Sequence, residues 1–146
     1  MKVEDVMTRD VAVVHPEQSL QQAARLMCEL DIGALPVADD DRLVGMITDR
    51  DIVIRAVAEG LDPGTRVGDV MTTDVKYCFC DQQLAEVSDN MADLQLRRLP
   101  VVNRDKQLVG IVALGDIATS SDNGCAADAL SGISRPRMDG GSQPAI

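Results

Sequence analysis

Two short corners carry the chemistry of this sequence. In "GMITDRDIV", residues 45–53, an apolar run stops on Thr48 and is followed by Asp49, Arg50 and Asp51. In "GIVALGDIA", residues 110–118, the corner keeps an acid at Asp116 but has Ala113 where the other has threonine. The T-x-x-D spacing is that of a capping box, in which a hydroxyl and a carboxylate satisfy the free N–H groups of a helix start for about 1 kcal/mol. Capping does not account for the second corner, which retains its acid although Ala113 cannot cap. A carboxylate in this position can instead accept both hydroxyls of a ribose, as the acid of dinucleotide-binding folds does. A second feature complements it. "LRRLPV" sets Arg97 and Arg98 before an apolar strand, where the matching stretch "IGALPV" has Gly33 and Ala34. An arginine pair at a strand mouth is commonly a solvated edge, but guanidinium forks also match phosphate oxygens. N–H groups at the helix start after Thr48 would add to an anion site. The backbone of Val75 and Lys76 and the side chain of Leu96 could flank a flat base. This set suits a ribonucleotide better than a sugar or a free amino acid.

The corners recur because the chain repeats itself. Asp5-Val6-Met7-Thr8 matches Asp69-Val70-Met71-Thr72, Leu35-Pro36-Val37 matches Leu99-Pro100-Val101, and Leu43-Val44-Gly45 matches Leu108-Val109-Gly110 after one added residue, Gln107. Each copy reads as a turn of helix over the D-V-M segment, then a strand ("VAVVH", "VKYCF") and an amphipathic helix. In the first helix Leu20, Ala23, Ala24, Met27 and Leu30 recur at spacings of three and four; in the second Leu84, Val87, Met91 and Leu94 do so. Two apolar strands follow, joined by "DDDR" or "NRDK", and then a second helix opening at the corner and running in copy one to about Glu59. "EGLDPGTR", with Gly60, Pro63 and Gly64, is the linker. The expected boundaries are 1–60 for the first repeat, 61–66 for the linker, 67–120 for the second repeat, and 121–146 for a tail, partly helical and then flexible. Neither half alone buries much surface. The expected fold is therefore α/β (α+β), two β-α-β-β-α repeats related by a pseudo-twofold axis and packed sheet to sheet. A crevice on each side of the axis would gather Arg97, Arg98, Thr48 and Asp51.

Composition narrows the partners. The 146 residues include one Phe, one Tyr and no Trp, so the core must be aliphatic, and the net charge is −10. An acidic surface repels phosphate backbones, which argues against nucleic acid as a partner. "MKVEDVMTRD" places acids where a signal peptide has its apolar region, and no run is long enough to span a membrane. The chain reads as cytoplasmic. Cys28, Cys78, Cys80 and Cys125 form no disulfide framework and are expected to be buried or half-buried reduced thiols. With His15 the sole histidine, no metal site is expected. There is no G-x-x-x-x-G-K and no G-x-G-x-x-G after a strand, and Val14-His15-Pro16 reads as a strand end rather than a catalytic base. The expectation is a chain without catalytic residues or a catalytic cofactor.

The layout resembles a pair of cystathionine-β-synthase (CBS) domains. The likeness spans residues 1–120 and rests on D-V-M-T at 5–8 and 69–72, A-L-P-V at 34–37, R-L-P-V at 98–101, G-M-I-T-D-R-D at 45–51 and G-I-V-A-L-G-D at 110–116. Small stand-alone bacterial members look similar in length and in phrases such as "DIGALP" and "TDRDIV". The resemblance implies a regulatory module that binds an adenosine derivative (AMP, ADP, ATP, S-adenosylmethionine or NAD) in the cleft between repeats and senses energy or stress state. AMP or ATP is the leading ligand. The resemblance also implies a homodimer. Carried over by position, the ribose acids are Asp51 and Asp116, and Thr48 is the phosphate-side hydroxyl. Each site takes its corner from one repeat and its base and phosphate contacts from the other. Site one is then Thr48, Asp51, Thr72, Val75, Lys76, Arg97 and Arg98. Site two is Thr8, Val11, Ala12, Gly33, Ala34 and Asp116; it lacks the hydroxyl and the arginine, and Arg50 is the residue that could reach it. Two readings compete with this one. A nucleotide-independent interaction or stress protein would use the same acids only as caps and would act on an unidentified protein target. A redox role would need a reactive Cys78–Cys80 pair.

Overall fold

The computed structural model describes residues 1–113 together with Gly115 and Ile117. Asp116, Cys125 and the expected tail lie outside the described residues. The described residues divide into two compact units, one formed by residues 12–75 and the other by residues 1–11 with the described residues from 76 onward. Helices combine with antiparallel and mixed sheet in an α+β fold.

In the unit of residues 12–75, helix α1 runs Leu20–Leu30. Ser19 starts it with a complete capping box: its hydroxyl accepts the Gln22 N–H at 3.1 Å while the Gln22 side chain accepts the Ser19 N–H at 2.9 Å. Leu20, Ala23 and Met27 are buried, whereas Ala24 and Leu30 from the same apolar pattern are exposed, so the buried stripe is narrower than the sequence spacing indicates. The helix ends on Asp31 in the left-handed region, at φ 53°. Strands β1 (Ala34–Asp39) and β2 (Arg42–Thr48) form an antiparallel hairpin with Ala34 opposite Thr48 and Val37 opposite Gly45. A single helical turn, α2 (Asp49–Asp51), continues as a π-helical stretch over Ile52–Val57. The core of this unit is aliphatic: Val14, Leu20, Ala23, Met27, Leu35, Val37, Ile47, Ala56, Val67 and Val70.

The other unit repeats the plan. Strand β3 (Cys78–Phe79) lies parallel to β4 (Arg98–Val102), which pairs antiparallel with β5 (Leu108–Ala113). Helix α3 (Leu84–Leu94) buries Leu84, Val87, Ser88 and Met91 and leaves Leu94 exposed. Its core joins Val3, Met7, Cys78, Leu84, Val87, Met91, Leu99, Val101, Val112 and Ile117.

The strands expected at "VAVVH" and "VKYCF" are much shorter than the sequence suggests. The first reduces to one bridge, Val14 to Val37, and the second to Cys78–Phe79. The pairing that survives is at the end of each run, next to a turn that closes in the same way in both copies. Gln18 Oε1 accepts the His15 N–H at 2.8 Å, and Gln82 Oε1 accepts the Phe79 N–H at 2.8 Å. Cys28 is exposed, not buried as expected, because it lies on the outer face of α1. Cys78 is buried, and burial pushes its thiol up to about 12. Cys80 is half-buried and also raised, by burial first and then by Glu4 and Asp81. Raised thiol pKa values mean little thiolate at neutral pH, which works against a redox role for this pair. Among the described residues no helix is long and apolar enough to cross a membrane.

One contact recurs in both units. Met46 and Thr72 exchange two backbone hydrogen bonds, N–H to O at 2.9 and 2.8 Å; Ile111 and Thr8 do the same at 2.9 and 2.8 Å. Both bridges sit beside a glycine whose missing side chain makes room. A β-carbon on Gly45 would lie 2.6 Å from the Met71 sulfur and 2.8 Å from the Thr72 carbonyl oxygen, and one on Gly110 would lie 2.7 Å from the Met7 sulfur and 2.8 Å from the Thr8 carbonyl oxygen. The methionine could give way, but the backbone carbonyl cannot. Gly45→Ala is therefore expected to cost about 1–3 kcal/mol, read as a fall in melting temperature of roughly 2–4 °C per kcal/mol for a chain of this size. An unchanged melting curve would show that the bridge is not held closed. Conversely, Asp31 strains a left-handed C-terminal position and adds negative charge at a helix C-terminus, so Asp31→Gly should stabilise by about 0.5–1 kcal/mol in urea unfolding.

Candidate functional site

The first corner is built as its sequence demands. The Thr48 hydroxyl accepts the Asp51 N–H at 3.0 Å, and Asp51 Oδ2 accepts the Thr48 N–H at 3.1 Å. The capping box is thus complete. Thr48 itself is buried, at 6% exposure, because it ends β2 opposite Ala34. Asp51 does more than cap. The Thr72 hydroxyl approaches its carboxylate, 3.4 Å from Oδ2 and 3.5 Å from Oδ1, and Arg55 Nε stands 3.9 Å from Oδ1. The side chain is 14% exposed. An ionised carboxylate has about four acceptor sites. Here one is well used, by the Thr48 N–H, and the others meet long contacts only.

Thr48, Asp51 and Thr72, three residues of the first expected site, are therefore brought together within the unit of residues 12–75. Val75, half-buried, ends that unit. Lys76, Arg97 and Arg98 are exposed and belong to the other unit, the two arginines at the start of β4 with Arg98 opposite Ala113. Of the second expected site, Thr8 is exposed and bridges Ile111 through its backbone, and Val11 is half-buried. Ala12 packs on the core of the unit of residues 12–75, where Gly33 is half-buried and Ala34 buried at the mouth of β1. Asp116 falls outside the described residues.

Two residues not singled out from sequence take part. Arg55 Nη1 donates to the carbonyls of Val70 and Met71 at 3.3 and 3.4 Å, tying the D-V-M-T segment to the helix that carries Asp51. The i,i+4 spacing of Asp51 and Arg55 was a usable signal. Asp49 donates its N–H to the Gly33 carbonyl at 2.9 Å and lays its side chain beside that glycine. Its signal was the contrast with Leu114 at the matching place in the second corner. A separate apolar groove of about 270 Å³, lined by Leu20, Ala24, Ile52, Val57, Leu61 and Pro63 among others, contains none of the expected site residues.

Several exposed charged groups pair with one another. The Asp69 and Glu17 carboxylates beside Arg66 hold its guanidinium above its ordinary pKa, and Arg104 beside Asp81 holds that carboxyl below the usual range. Arg104 also stacks 4.1 Å above the Phe79 ring. His15 Nε2 lies 3.2 Å from Asp39, and its Nδ1 accepts the Glu17 N–H at 3.1 Å, so both ring nitrogens are engaged. Among the described residues no three His, Cys, Asp or Glu side chains gather as metal ligands would.

Comparisons with known proteins give the family. The CBS domain profile matches residues 3–57 and 67–122. The CBS domain-containing protein YhcV of Bacillus subtilis is 46% identical over 137 residues, 93% of this chain and 97% of YhcV. The crystal structure of Hypoxic Response Protein I with two coordinated zinc ions superposes with a TM-score of 0.72 at 43% identity, covering 81% of this chain and 97% of that one. CBSX2 in complex with AMP gives 0.70 at 31% identity, over 80% and 93% of the two chains. The CBS pair of MJ0100 in complex with 5′-methylthioadenosine and S-adenosyl-L-methionine gives 0.67 at 28%, over 81% and 93%. With both repeats matched and relatives this close, the chain belongs to the CBS domain family as a tandem pair.

Proposed function

We propose that this chain is a regulatory module that binds an adenosine-type nucleotide and serves as a sensor of energy or stress state, with the ribose held by Asp51. The observation that carries the reading is the Asp51 carboxylate, largely buried and approached by the Thr72 hydroxyl and by Arg55, yet with only one short hydrogen bond, from the Thr48 N–H. A ribose diol would supply the two donors that such a carboxylate can still accept. Solved relatives support the ligand class: CBSX2 holds AMP, and MJ0100 holds two adenosine thioether or sulfonium compounds. The proposal assigns phosphate to Arg97 and Arg98, with Thr48, Thr72, Val75 and Lys76 completing the first site. Thr8, Val11, Ala12, Gly33, Ala34 and Asp116 form a weaker second one. Self-association is part of the proposal. The helix after Asp51 exposes Val53, Ile54 and Val57 at 57%, 45% and 67%, an apolar face suited to a second copy.

A second reading has an observation in its favour. The Thr48–Asp51 box is complete within the chain's own groups, as a purely structural acid in a nucleotide-independent interaction protein would be. Calorimetry separates the two. Hydrogen bonds to a charged acceptor contribute about 1.5–3 kcal/mol, so Asp51→Asn should weaken AMP binding roughly tenfold to a hundredfold. Thr48→Ser, which keeps the cap, should bind nearly as the wild type does. AMP at 100-fold over its Kd should also raise the stability of the wild type by about 2.7 kcal/mol. No melting shift with millimolar AMP, ATP or S-adenosylmethionine, or equal AMP affinities for wild type and Asp51→Asn, would favour the structural reading.

A further inference from the structure

Asp49 is the acid of the corner that the binding proposal leaves without a role. Its side chain is exposed and folds over Gly33: a β-carbon built on that glycine would lie 3.0 Å from Asp49 Oδ2 and 3.4 Å from Oδ1. The carboxylate therefore occupies the face of Gly33 from which a side chain would project. It is fixed there at both ends, by the Asp49 N–H to the Gly33 carbonyl at 2.9 Å and by the Arg50 N–H to Asp49 Oδ1 at 2.8 Å. The second repeat replaces both members of this pair. Arg97 stands in place of Gly33, and Leu114 in place of Asp49. One strand mouth thus carries a negative charge at the spot where its counterpart carries a guanidinium.

We propose that Asp49 sets the ligand class of the Gly33–Ala34 mouth. This mouth takes adenosine derivatives whose 5′ substituent is neutral or cationic, a thioether or a sulfonium, and disfavours a 5′ phosphate. The inference rests on the nucleotide reading above. A phosphate dianion about 5 Å from a carboxylate in a water-like medium loses roughly tenfold in affinity. A sulfonium gains, and a neutral thioether is indifferent. The discrimination shrinks as salt rises, since exposed charges are screened beyond about 10 Å at 0.1 M. It is a charge effect and not a steric one, because asparagine has the shape of aspartate and can accept the same Arg50 N–H.

The test is calorimetry on the full chain with two probes, AMP and 5′-methylthioadenosine, at low and high salt, for wild type and Asp49→Asn. The wild type should take 5′-methylthioadenosine at two sites per chain and AMP at one strong site. Asp49→Asn should tighten the weak AMP site by about tenfold at low salt and by less at high salt, with 5′-methylthioadenosine affinity unchanged within about twofold. Asp49→Ser serves as the second variant, with the same expectation, should Asp49→Asn melt well below wild type. Two equal AMP sites in the wild type, or AMP binding unaltered in both variants, would overturn the inference and leave the nucleotide reading standing. Absence of binding by either probe to the wild type would overturn both.

Discussion

A Met-Thr dipeptide clamped to the last strand of a hairpin is the contact on which the rest of this structure depends. Two backbone hydrogen bonds fasten Thr72 to Met46, and the fastening is possible because Gly45 presents no side chain to the Thr72 carbonyl. The clamp delivers the Thr72 hydroxyl to the Asp51 carboxylate, and Arg55 reinforces it through the carbonyls of Val70 and Met71. Two segments about twenty residues apart, 46–55 and 70–72, thereby converge on one acid. The same clamp, Thr8 on Ile111 beside Gly110, closes the other unit. In each case the D-V-M-T segment packs in the unit whose hairpin belongs to the other repeat. This is why the compact units begin at residues 12 and 76 while the sequence repeats begin near residues 3 and 67.

Much of this could be read from the sequence, for identifiable reasons. Apolar positions three and four apart placed α1 and α3, and short aliphatic runs separated by "DDDR" and "NRDK" placed both hairpins. Such patterns are local and survive without tertiary information. The T-D-R-D corner was legible for the same reason, since a capping box involves residues only three apart. Three features were not legible. The strand before each helix pairs over only one or two residues, because pairing depends on a partner strand, which the hydropathy of the run does not register. Cys28 proved exposed because a helix rotates one position out of the buried stripe within a single residue. The clamp was visible only as conserved lettering between the copies. That Gly45 meets Thr72 is a long-range contact, and no spacing rule predicts it.

The two repeats differ in charge at the corner and at the strand mouth. One corner has threonine and acid, the other alanine and acid; one strand mouth has two arginines, the other Gly33 covered by the Asp49 carboxylate. A fold assembled from near-copies keeps its clamps identical, because both hairpins need them, and can vary the charges beside the strand mouths at small cost, because those groups are exposed.

The central claim is that Asp51 is a ribose acceptor as well as a helix cap. A crystal structure of the protein grown with AMP tests it most directly. The account predicts both ribose hydroxyls within hydrogen-bonding distance of the Asp51 carboxylate, about 2.6–3.2 Å, with the Thr48–Asp51 cap intact. AMP bound elsewhere, with Asp51 still engaged only by Thr48, Thr72 and Arg55, would contradict it.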